Sequence, residues 1–60
     1  MKIRDFVLAL TGGDTHEFRI YAEDEQPVFE GYGSGIPEVY MDTEIDYIDI
    51  GEQAIEIGIK

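Results

Sequence analysis

The feature that most restricts how this chain can fold is the alternation at its C-terminal end, where Ile55, Ile57 and Ile59 are interleaved with Glu56, Gly58 and Lys60. Apolar groups at period two share one face of a strand but scatter around a helix, so this segment predicts β-structure with a single buried face. Upstream, Ile45, Ile48 and Ile50 run up to Gly51-Glu52, a turn signal. Residues 45–60 are therefore expected to form a hairpin whose isoleucines lie together, and the rest of the chain has to cover them.

Strict alternation in the first arm would put Ile45 and Tyr47 on one face and Asp46, Ile48 and Ile50 on the other, which either buries Asp46 or exposes an isoleucine. A β-bulge near Asp46-Tyr47 removes the conflict by shifting the register one residue. Ile45, Ile48 and Ile50 then face the core, while Glu44, Asp46 and Asp49 face water.

The expected cover is helical. Ile3, Phe6, Val7 and Leu10 have the i, i+3, i+4, i+7 spacing of one helical stripe, and Gly12-Gly13 ends it. A helix of this length does not hold alone in water, so its stripe is expected to pack on the sheet. Phe18, Ile20 and Ala22 alternate with Glu17, Arg19 and Tyr21 in a half-buried strand over residues 16–22. Residues 23–26 turn the chain, and Pro27, which cannot donate to a ladder, opens an edge strand through Val28, Phe29 and Glu30. GYGSG, residues 31–35, reads as a flexible polar loop. Pro37 then starts a short helical turn through Met41, expected to plug one end of the sheet. The predicted fold is α+β in a single domain, residues 1–60: one N-terminal helix packed on an antiparallel sheet of about four strands, built from two hairpins with a short helical turn between them.

The succession of the Ile3/Phe6/Val7/Leu10 helix, FRIY, an acidic turn, FEGY, IPEVYMDTEI and a closing IEIGI resembles the short uncharacterised proteins of phages, prophages and low-GC Gram-positive bacteria. That resemblance implies a mobile-element context and carries no activity with it.

Sixty residues are near the size at which one core only just offsets chain entropy. With no cysteine and a single histidine, neither disulfides nor a thiolate or imidazole metal cage can add stability. Association is the remaining aid, and a homodimer is expected. Charge interrupts the apolar positions of MKIRDF every two or three residues, so no signal peptide or membrane span is read there, and a cytoplasmic protein is expected. Fourteen acidic against four basic residues give a net charge of −10, and from Ile20 to Ile59 there is no Lys or Arg. Such a surface repels nucleic acid and anionic membranes and favours basic proteins or cations.

The densest acids are DTEIDYID, residues 42–49. Asp42, Glu44 and Asp46 have the spacing that begins a calcium loop, but Tyr47 stands where its glycine belongs and Gln53 where its bidentate glutamate belongs. The same segment reads as strand, which points alternate carboxylates apart, so no metal or cofactor is expected. His16, Ser34 and an acid can be written as a triad, but nothing in the sequence fixes their geometry, and the protein is not expected to be an enzyme. The glycines of TGGD and GYGSG lack the strand, helix and lysine of a phosphate-binding loop and read as turn glycines.

The tyrosines are more informative. Tyr21 and Tyr47 are expected on the outer face of the sheet among acids, an arrangement typical of protein interfaces. The candidate interaction surface is Tyr21, Glu44, Asp46, Tyr47 and Asp49. The function expected is a small acidic protein–protein interaction module or inhibitor acting on a basic surface. Its specific form is nucleic-acid mimicry, since outward carboxylates on a strand recur about every 6.8 Å. The alternative is a domain binding a small ligand or divalent cation through GYGSG and the 42–49 acids.

Overall fold

The computed structural model describes residues 1–23 and 25–59; Asp24, in the expected acidic turn, and Lys60, at the end of the terminal arm, lie outside them. A helix, α1 (Ile3–Ala9), leads through a 3-10 turn at Gly13–Thr15 into β1 (Glu17–Tyr21) and β2 (Pro27–Tyr32). A second 3-10 turn at Gly33–Gly35 and a four-residue helix, α2 (Glu38–Met41), lead to β3 (Ile45–Ile50) and β4 (Ile55–Ile59). The class is α+β, and the two expected hairpins, β1–β2 and β3–β4, are both present.

The wholly antiparallel sheet is not. The strand order is β2-β1-β4-β3, and the central pair, β1 and β4, runs parallel, with Phe18 beside Ile55 and Ile20 beside Ile57. The cause lies in the connection between the hairpins. β2 ends at Tyr32, level with the start of β1, whereas β3 begins at Ile45, level with the end of β4. Residues 33–44 therefore travel the length of the sheet, and the second hairpin is laid down in the same sense as the first, which makes the middle pair parallel. The segment expected to plug one end of the sheet is part of this connection, which buries Ile36 and packs Tyr40 and Met41 against the core. Gly31 and Tyr32, expected in a flexible loop, continue β2.

The bulge is present. Ile45 pairs with Ile59 and Tyr47 with Gly58, so Asp46 is the extra residue and Ile48 and Ile50 align with Ile57 and Ile55. A second irregularity, between Ile20 and Tyr21, shifts the β1–β2 register near Pro27. The core is wholly apolar: Ile3 and Val7 of α1 lie in one buried cluster with Phe18, Ile20, Ile36, Ile55 and Ile57, and Phe6 meets Phe18 edge to face with ring centroids 6.4 Å apart. The Asp5 carboxylate accepts the Lys2 backbone N–H at 3.2 Å, satisfying one donor at the start of α1. Gly12 takes the left-handed conformation, φ 71°, that lets the chain leave the helix for β1. At Gly33 a Cβ would lie 2.2 Å from the Gly13 carbonyl oxygen, so the two 3-10 turns touch backbone to backbone.

Candidate functional site

The face of the sheet opposite the buried cluster is organised by register into rows that cross the strands. One row is Glu30 on β2, Arg19 on β1, Glu56 on β4 and Asp49 on β3. Arg19 stands between two of the acids, its Nε 3.9 Å from Glu30 and its Nη1 3.7 Å from Glu56. Asp49 lies directly across from Glu56, a like-charge pair at the end of the row. These carboxylates are solvated, and the ion pairs are long and partly exposed, so their worth lies in arrangement more than stability.

The next row is aromatic. Tyr21 on β1 and Tyr47 on β3 flank Gly58 on β4. The Tyr47 ring occupies the space a side chain at position 58 would take: a Cβ there would come within 1.9 Å of the ring. The glycine thus seats the tyrosine flat on the sheet, the way an aromatic neighbour compensates for a strand glycine. Tyr47 remains 51% exposed. The Tyr21 hydroxyl donates to the Glu56 carboxylate at 3.3 Å, which fixes the ring beside the charged row. On this face a planar apolar surface lies next to carboxylates in a fixed array.

Of the five residues expected to form an interaction surface, Tyr21, Tyr47 and Asp49 therefore share one face. Asp46 is exposed at the bulge beside them. Glu44 is placed elsewhere: it forms an isolated bridge with Lys2 and accepts the N-terminal ammonium at 2.9 Å, so it helps tie down the start of the chain. Asp42, the first acid of the calcium-like run, accepts Arg4 Nε at 3.2 Å, and Glu38 accepts the same guanidinium through Nη2. These bonds, Glu38 first and Asp42 second, push the Arg4 pKa up from its ordinary value. The acids of residues 38–44 are thus used in part to bind the connection to α1, and among the described residues no group of three His, Asp or Glu side chains is placed to hold a metal ion.

Glu30, Arg19 and Glu56 belong to the face although they were not among the expected surface residues. The signal that would have found them is the same period-two alternation, applied across strands once the β1–β4 pairing is known. His16 and Ser34 do not meet in any hydrogen bond; His16 lines an open cleft of about 280 Å³ with Leu10, Ile50 and Ala54, and Ser34 a different one with Tyr32. Among the described residues no helix is long and apolar enough to cross a membrane. No family model matches the chain, and neither a curated protein nor a solved structure matches it significantly.

Proposed function

We propose that this chain is a non-enzymatic interaction module that presents the uncovered face of its sheet to a basic surface on a larger protein. The observation that carries the reading is the pairing of two rows on that face: Glu30, Arg19, Glu56 and Asp49 beside Tyr21, Gly58 and Tyr47. Carboxylates held at strand spacing can address Lys and Arg groups that themselves are set out to bind phosphates, which is the nucleic-acid-mimic form of the proposal. The tyrosines supply apolar area and π-faces on which guanidinium groups stack. Arg19 keeps the central acids in register while leaving the row net negative.

Bulk charge alone would also attract cations, so the test has to separate the face from the net charge. Affinity for an arginine-rich peptide, followed by titration calorimetry at two salt concentrations, is compared between the native chain and the Tyr21→Ser/Tyr47→Ser variant, whose charge is unchanged. The face predicts at least about a fivefold loss, the equivalent of about 1 kcal/mol from two cation–π contacts at exposed sites. Equal affinities would show that the attraction is a property of the charge of −10 and that the tyrosine face plays no part.

A further inference from the structure

The sheet has two edges, and they are unlike. β2 opens with Pro27, which has no N–H, and its register is broken near that residue, features that blunt an edge against pairing. β3 is tied at its start, where the Ile3 N–H donates to Thr43 O at 3.1 Å and the Ile45 N–H to Met1 O at 2.8 Å. Beyond the bulge it runs regularly from Tyr47 to Ile50 as the last strand of the sheet. The Gly51 N–H donates inward to Ala54 O, so by antiparallel alternation Asp49 also points its N–H and C=O at β4. Ile48 and Ile50 then direct theirs away from the sheet, along the open edge.

These two isoleucines align with Ile57 and Ile55 on the core side, yet the cover does not reach them: Ile48 is 37% exposed and Ile50 74%. Ile50 borders the cleft that separates the β3–β4 turn from Leu10, just beyond the C-terminal end of α1. On the other side of the same strand, the Asp49 carboxylate makes no hydrogen bond or ion pair among the described residues and faces Glu56 across the ladder. The row Glu30, Arg19, Glu56, Asp49 thus ends in two adjacent acids, with no cation after them among the described residues.

We propose that the free edge of β3 at Ile48–Ile50 binds an extended segment of a partner protein by antiparallel strand addition, and that the segment alternates apolar with basic residues. This rests on the reading of the chain as a module for a basic partner, and supplies a second mode of contact. Main-chain bonds to Ile48 and Ile50 give attachment, and alternate side chains give specificity. Residues directly opposite Ile48 and Ile50 fall on the core side, where apolar groups cover the isoleucines and close over the cleft. The residue opposite Asp49 falls on the outer face, where a Lys or Arg terminates the charge row and offsets the Asp49–Glu56 repulsion. A neighbouring cation lies over the exposed Tyr47 ring. A second copy of this chain fits the edge poorly, because an antiparallel pairing of Ile48 with Ile50 sets Asp49 opposite its own copy, between molecules that each carry −10.

The test uses a short peptide alternating Lys and Val, a copy with Thr for Lys, and two N-methylated copies, one blocked at the Val amides and one at the Lys amides. Calorimetry measures affinity, and amide hydrogen exchange locates the contact. In the free chain Ile48 and Ile50 amides should exchange much faster than Asp49. The Lys-Val peptide should slow both, and its affinity should fall with salt. Blocking the Val amides, which face β3 in antiparallel addition, should weaken binding by roughly tenfold, and blocking the Lys amides should not. Asp49→Lys should weaken the Lys-Val peptide and leave the Thr copy unaffected.

Equal binding by both N-methylated copies would overturn strand addition and leave the outer-face reading standing. Sensitivity at the Lys amides alone would overturn the antiparallel pairing. Equal binding of the Thr and Lys copies would overturn the basic partner, and with it that reading. Slowing of Ile48 and Ile50 that grows with protein concentration and salt, without peptide, would show that a second copy takes the edge and overturn the proposal.

Discussion

Ile57 and Ile50 have the same side chain, lie on the same side of neighbouring strands and belong to the same period-two pattern, yet truncating them should have very unequal costs. Ile57 is 0% exposed at the centre of the sheet, between Ile20 on β1 and Ile48 on β3, in the cluster that includes Ile3 and Val7. Ile57→Ala removes three buried carbon groups at about 0.8 kcal/mol each, or about 2.4 kcal/mol of transfer energy. The cavity left among β-branched neighbours on paired strands, which cannot easily close in, brings the total to about 3–4 kcal/mol, within the usual range for such changes. A domain of sixty residues has a total stability of roughly 3–9 kcal/mol, so the variant should lose a large part or all of it. Ile50→Ala removes the same atoms from a site mostly in water and should cost no more than about 0.5 kcal/mol. Urea unfolding, followed by far-UV circular dichroism because the chain has no tryptophan, measures both. Equal shifts of the midpoint for the two variants would refute the claim that cover, and not strand pattern, decides the energetics of these isoleucines.

Gly33→Ala should cost about 1–3 kcal/mol, because the new Cβ meets the Gly13 carbonyl oxygen, a backbone atom with no rotamer in which to retreat; an unchanged thermal midpoint would show that the two 3-10 turns are free to part. Association of two copies through Tyr21 and Tyr47, the homodimer expected from the small core, would compete with a basic partner for that face and should strengthen as salt rises from low concentration, since screening over roughly 8 Å at about 0.15 M relieves the mutual repulsion. Sedimentation equilibrium at two ionic strengths measures it, and a monomer at both would leave that face to other partners.

Local chemistry alone determined much of this protein. Period two in Ile55, Ile57 and Ile59 and period 3.6 in Ile3, Phe6, Val7 and Leu10 assigned strand and helix, because each period brings apolar groups to one side of only one kind of backbone. The bulge at Asp46 was legible for the same reason: a carboxylate cannot follow isoleucines into the core, so the register has to slip. The outward setting of Tyr47 followed from that slip, and that of Tyr21 from its alternation with Phe18 and Ile20. Tertiary structure alone decided which strands met in the middle, since the parallel β1–β4 pair depends on how far residues 33–44 travel, and no side chain within either hairpin records that distance. It also decided which acids are free, binding Asp42 and Glu38 to Arg4 and Glu44 to the N-terminus through contacts between residues far apart in the chain. Periodicity states which side of a strand a residue occupies; how far the helices extend over that side is set by their length and placement. That is why Ile48 and Ile50, which the pattern assigns to the core side, end at an open edge in water.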